Sequence, residues 1–239
     1  MNNETLSFLL TWTPYLLNGF LWNILIAILA VAIGTSFGTL LAWIRIKKTG
    51  KLLWAAEFLT KFYCNIPTLA FMFYAAYILP KEITIPGTEW VVVIPYWLKA
   101  ALGLSASTTG FTSESLTVAY RAWDRGDYNA ALLFIPTWAN SSTISFVASS
   151  TASLVGVSEL ISRCNYLIAA TGTSVMVPLY LYCGAYFIAT CLLWAHCIKK
   201  LKESNYVLAL PARLAAARWG KAPIFMPQSD APAADVNIG

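Results

Sequence analysis

Apolar residues run along this chain in long blocks, and short polar or charged strings separate them. The first block, "FLWNILIAILAVAIGTSFGTLLAWI", covers residues 20–44 and exceeds the roughly 20 residues that a helix needs to cross hydrocarbon. A second block covers residues 52–80. It opens as "LLWAAEFLTKFYCN", where Glu57 and Lys61 stand four apart on one helical face, which predicts an interfacial start. Pro67 interrupts it, and a proline inside a span needs neighbouring groups to satisfy the freed carbonyl. Residues 81–90, "KEITIPGTEW", read as a loop. The third block starts near Val91, and its second half carries Ser105, Ser107, Thr108, Thr109, Thr112, Ser113, Glu114 and Ser115. That set belongs against other helices, a water-filled path or the cytoplasm, not against lipid. The fourth block, "AALLFIPTWANSSTISFVASSTASLVGV", has Pro136 near its start and hydroxyls throughout. Those hydroxyls either bond back to their own helix or line a pathway. After a mixed segment, "SELISRCNYLIAATGTS", a fifth block runs to "AHCI" and stops at "KKLKE".

The pattern predicts an all-α membrane protein with about five transmembrane helices. Lys and Arg fall mostly at alternate ends of the blocks: Arg45, Lys47, Lys48 and Lys51, then Arg121 and Arg125, then Lys199, Lys200 and Lys202. Positive charge accumulates on the cytoplasmic side, so this bias places the N-terminus outside and the C-terminus inside. Residues 1–17 form an external segment, 18–203 the membrane domain, and 204–239 a cytoplasmic tail. In the tail, "LALPARLAAARWGK" suits a basic surface helix, and the end is predicted to be disordered. Gly34 and Gly38 make a small-xxx-small face on the first span, read as generic helix packing.

Composition agrees with this picture. Of 239 residues, 58% are hydrophobic and 11% charged, too few charges to cover a soluble surface of this size. The net charge of +5 sits in runs at the ends of apolar blocks, a topology signal and not a nucleic-acid footprint. The five cysteines are scattered, odd in number, and read as small buried hydrophobes. No basic stretch precedes the first apolar run, so no cleaved signal peptide is expected. His196 is the only histidine, and there is no glycine-rich phosphate loop, metal-ligand spacing or evident carboxylate pair. Neither an enzyme nor a bound cofactor or metal is expected; any ATP is held by another chain.

In order along the chain, several pieces resemble the membrane subunits of bacterial ABC importers of the polar-amino-acid (histidine/glutamine) type. They are the first span from Leu16, "FYCNIPTLAFMFYAAYILP", "SLVGVSELISRCNYL" with Gly156, Val157, Glu159 and Leu160 in place, and Pro178 with "LYLYCGAYF". The resemblance covers residues 15–202. It implies an ABC importer permease-like fold in the bacterial inner membrane and transport of amino acids or similar small polar solutes by alternating access. The implied partners are membrane lipid, cytoplasmic ATPase subunits, a second permease of the same or similar kind, and an external solute-binding protein.

The family carries a cytoplasmic ATPase-coupling signature: Gly-Gln, then Glu-Ala-Ala, three residues, and a glycine. "RGDYNAALLFI" resembles it with departures. Gly126 stands at the first glycine, Asp127 at the glutamine, Asn129 at the glutamate, Ala130 and Ala131 at the alanines, and Ile135 at the last glycine. The resemblance implies that Arg125, Gly126, Asp127, Tyr128, Asn129, Ala130 and Ala131 form a shortened coupling loop, with Asp127 or Asn129 capping a short helix. An ordinary turn is the alternative, in a permease relative that has lost coupling. In the fourth span the family's Lys-Asp-Thr-Ser run aligns with Val147, Ala148, Ser149 and Ser150, so the charged pair is gone. Ser149, Ser150, Asn140 and Glu114 are the candidate substrate-path residues. For Glu114, a structural pairing with Lys or Arg is the alternative.

Overall fold

The computed structural model describes residues 3–84 and 91–203. In chain order the elements are α1 (Asn3–Lys47), α2 (Lys51–Asn65), α3 (Thr68–Ile78), β1 (Glu82–Thr84), β2 (Val91–Val93), α4 (Tyr96–Asp124), α5 (Tyr128–Leu132), α6 (Phe134–Ala148), a 3₁₀ helix Ser149–Val155, α7 (Leu160–Thr171), a 3₁₀ turn Thr173–Val175, and α8 (Met176–Glu203). Residues 1–198 form one compact unit; of a second unit, from Lys199 onward, only the last turn of α8 is described. The proposed tail at 204–239 lies outside the described residues.

Among the described residues, three stretches are long and apolar enough to cross a membrane: Thr5–Lys47, Tyr128–Val155 and Thr173–Leu201. They coincide with the first, fourth and fifth expected spans. The second expected span is two helices. Pro67 lacks an N–H and disfavours helical backbone at the residue before it, and Ile66 is accordingly extended at φ −88°, ψ 133°. The third is the 29-residue α4, long enough to span but with polar residues through its middle.

Those polar residues are turned inward. Ser105, Ser107, Thr108, Thr109, Thr112, Ser113 and Thr117 are all buried. Some bond to their own helix: Thr109 Oγ1 donates to Ser105 O at 2.8 Å and Thr117 Oγ1 to Ser113 O at 2.7 Å. Others bridge helices: Thr108 to Ser145 of α6 and Thr60 of α2 to Ser113, both at 2.8 Å. Of the surroundings open to this set, other helices are the ones it meets.

Small residues let the helix backbones approach. A Cβ added at Gly34 would lie 2.5 Å from Thr108 Cβ and 2.7 Å from Ser105 O; one at Gly38 would lie 2.6 Å from Thr112 Cβ. The Gly34–Gly38 face is therefore the α1–α4 contact. On the other side of α4, Gly110 lies against Cys64 and Gly103 against the backbone of Met72. Around this contact one core gathers Ile26, Ala30, Met72, Ala100, Ala101, Leu104 and Ala152. A second core joins Leu9, Leu16 and Phe20 of α1 to Leu160, Cys164 and Leu167 of α7 and Leu179 and Cys183 of α8.

Two boundaries differ from expectation. The first span, expected over residues 20–44, is part of a longer helix that runs from Asn3 through Pro14, and Leu9 and Leu16 pack into the second core. Burial on both sides of the proline outweighs its one missing hydrogen bond. The expected loop and the start of the third span contain a strand pair, Glu82 to Val93, Ile83 to Val92 and Thr84 to Val91. Three successive β-branched valines favour extended backbone, and Pro95 delays α4 to Tyr96.

Candidate functional site

The seven residues of the proposed coupling loop form a compact capped turn. The α4 helix ends in paired hydrogen bonds: Gly126 N–H donates to Trp123 O and Asp127 N–H to Ala122 O, each at 3.0 Å. This Schellman closure needs a left-handed residue, and Gly126 supplies it at φ +85°. Asp127 then caps α5 by accepting from Ala130 N–H at 3.0 Å, so of the two candidate caps Asp127 fills the role. Leu133 alone separates α5 from α6, and Pro136 sits in the first turn of α6, where its missing N–H costs nothing.

The faces of this turn are distinct. Tyr128 and Ala131 are buried, with the Tyr128 ring edge-on to Trp123 at 5.1 Å. Among the described residues the Tyr128 hydroxyl has no hydrogen-bond partner. Arg125, Gly126, Asp127 and Asn129 are exposed, and Ala130 is half-buried. Ala131 packs against its own chain, because the short connection folds α5 back on α4.

The four candidate path residues do not converge. Glu114 pairs with Arg45 of α1 at 2.9 Å, with Arg45 nearly buried and Glu114 half-exposed. This is the structural pairing left open above, tying α4 to the end of α1. Asn140 is exposed on α6. Ser150 is half-buried and donates to Val147 O at 2.8 Å. Ser149 is fully buried, donates to Phe146 O at 2.7 Å, and accepts from Asn23 Nδ2 at 3.2 Å. None of the four lines a groove of about 880 Å³ between α1, α6 and α8. Its walls carry Thr35, Thr39, Ser142, Thr143 and Thr190 on a mostly apolar surface that includes Trp138 and Trp194.

Ser149 instead belongs to a buried polar clasp. Asn23, inside the apolar run of α1, and Glu159, at the N-cap of α7, are both 0% exposed. Asn23 Nδ2 donates to Glu159 Oε2 at 2.9 Å, and Asn23 Oδ1 accepts from Leu160 N–H at 3.1 Å. Glu159 also accepts from Ile161 N–H at 2.9 Å and Ser162 N–H at 3.0 Å. One amide and one carboxylate thus satisfy the start of α7 and hold it to α1. Arg163 adds a bond from Nη1 to Tyr15 O at 2.7 Å, while the guanidinium lies 4.8 Å from the Tyr15 ring centre. The 3₁₀ helix Ser149–Val155 starts at Ser149 and leads toward this cap, ending at left-handed Gly156. A 3₁₀ stretch continuing an α-helix often marks a hinge.

Lys99 is the other group that sequence reasoning passed over. It is 1% exposed, and its Nζ donates to Leu79 O at 2.6 Å and Ala76 O at 3.3 Å. It thereby closes the C-terminal end of α3 from the neighbouring helix. The signal for both groups was present: a lone amide and a lone lysine within apolar runs are costly unless partnered.

The helical order, the broken second span and the short helix between α4 and α6 belong to a fold shared with a solved transporter chain. The crystal structure of an amino acid ABC transporter with histidines superposes at a TM-score of 0.67, covering 85% of this chain and 99% of that one at 16% identity. In sequence, the chain is 28% identical over 129 residues to a probable amino-acid ABC transporter permease protein of Sinorhizobium fredii. That match takes in 54% of this chain and spans 52% of the relative's length. No family model matches the sequence.

Proposed function

We propose that this chain is a transmembrane permease subunit of an ATP-driven importer for amino acids or similar small polar solutes. It sits in the bacterial inner membrane with the N-terminus outside, spans the bilayer about five times, and forms one side of the translocation path. Two cytoplasmic ATPases act from below, a second permease subunit pairs with it, and an external binding protein delivers the solute. The main support is the permease fold, joined to sequence similarity with an amino-acid permease over half the chain. The Arg125–Ala131 turn is the ATPase contact in this proposal, through exposed Arg125, Asp127 and Asn129. The absence of a Lys-Asp pair before Ser149 favours a neutral or weakly polar solute.

The test is reconstitution with a candidate ATPase, second permease and binding protein of an amino-acid importer, followed by ATP-dependent uptake in proteoliposomes. Co-purification with the ATPase and solute-dependent uptake are expected. Arg125→Ala/Asn129→Ala, which leaves buried Tyr128 and the Asp127 cap intact, is expected to lower uptake at least about tenfold, the scale set by losing two interfacial polar contacts. Unchanged uptake in that variant would move coupling to the partner permease. Failure to bind any ATPase would favour a non-transporting structural relative.

A further inference from the structure

We propose that the elbow between α1 and α2 is a binding site for the headgroup of an anionic phospholipid. Lys47, Lys48 and Lys51 lie within five consecutive residues and are all exposed. Arg45, just before them, is already neutralised by Glu114, so the three lysines carry the free charge of the elbow. Aromatic rings position two of them: Lys47 Nζ is 5.5 Å from the Tyr120 ring centre, and Lys48 Nζ is 5.3 Å from that of Trp43. A ring contact occupies one side of an ammonium group and leaves its other hydrogens available. Gly50 turns the chain at φ +68°, and a Cβ there would meet nothing within 4 Å, so the inside of the turn is open.

The flanking helices identify the occupant. On α1, Phe37, Leu40 and Trp43 form an exposed stripe that runs away from the lysines. On α2, Trp54, Phe58 and Phe62 form another, with ring centres 5.7 and 6.3 Å apart in a stacked ladder. Three cations between two exposed apolar stripes match a molecule with one anionic head and long apolar tails. A soluble protein partner would meet the lysines but leave both stripes uncovered. Cationic clusters beside a membrane helix attract anionic lipid, and tryptophans settle at headgroup level. The proposal needs no assumption about transport.

The experiment is native mass spectrometry of the purified full chain in micelles, titrated with phosphatidylglycerol or phosphatidylcholine of the same acyl composition. Wild type is expected to bind the first phosphatidylglycerol about tenfold more tightly, a preference that 0.5 M salt reduces. Lys47→Gln/Lys48→Gln/Lys51→Gln should abolish the preference while preserving the melting temperature. Trp54→Ala/Phe58→Ala should weaken both lipids alike. If the triple variant fails to fold, Lys51→Gln alone, expected to lower the preference roughly threefold, carries the test. Equal binding of the two lipids by wild type overturns the proposal. So does a folded triple variant, or a Lys51→Gln chain, that keeps the full preference. Loss of ATPase binding in the triple variant, with no lipid preference in wild type, reassigns the elbow to a protein contact.

Discussion

Helices α4 and α8 both pack against α1, and they do so in opposite ways. Against α4, glycines bring backbones together, and threonine side chains fill the space where a Cβ would go. Against α8, large rings keep backbones apart: Phe20 meets Tyr186 at 5.4 Å and Phe187 at 5.6 Å, and Thr13 reaches the Tyr182 hydroxyl at 2.8 Å. Farther along α8, Trp194 meets Trp138 of α6 at 6.4 Å, and both rings line the 880 Å³ groove. A backbone contact made through glycine has one register, because any shift drives atoms together. A contact made by rings on long side chains can repack by changing rotamers. One helix thus carries a fixed joint and an adjustable one, the combination that the proposed alternating access would use.

The contrast can be broken most severely on the α4 side. Gly34→Ala/Gly38→Ala places two methyl groups inside Thr108 and Thr112, and about 4 kcal/mol of destabilisation is expected from two overpacked sites. Denaturation of the purified chain in micelles measures it. Next in size is Glu159→Ala, which strips an acceptor from Asn23 and from two backbone N–H groups. A loss of about 3 kcal/mol follows from leaving those buried donors unpaired, and Glu159→Gln should recover part of it. A melting curve that does not move would show the clasp to be incidental. Lys99→Met removes the donor from two carbonyls but also removes a buried charge, so the net loss should be only about 1 kcal/mol. Faster proteolysis near residues 79–82 would register it locally. The smallest effect belongs to α8. A Cβ at Gly184 meets nothing within 4 Å, so Gly184→Ala should be neutral or stabilising by up to about 0.8 kcal/mol. A large loss there would mean that α8 is as tightly registered as α4.

Much of the fold was legible because it depends on local pattern. The long apolar runs, the break at Pro67 and the small-residue face at Gly34 and Gly38 all have a period or a breaker that a sequence displays. The direction of the α4 hydroxyls was not legible, since a polar face suits a helix neighbour as well as water. Pairings across long separations were also hidden: Asn23 meets Glu159 136 residues later, and nothing near either one names the other. Lys99 escaped notice because a lysine near the end of an apolar run reads as a topology marker, whereas here it is spent on the carbonyls of α3. The cap on α5 was readable, because an Asx residue before a short helix has few other uses. Which alanine faces inward was not, because that depends on how α5 folds back against Trp123.

The length of α1 has one more consequence. Its 45 residues extend about 68 Å at 1.5 Å per residue, against hydrocarbon about 30 Å thick. A continuous rod of that length either slants steeply through the bilayer or projects well past one face. Its middle is continuously apolar, and Leu6, Leu10 and Trp12 near its start remain exposed. The exposed edge formed by Leu6, Leu10 and Trp12 is therefore poorly suited to water, and it calls for lipid or another apolar surface alongside it.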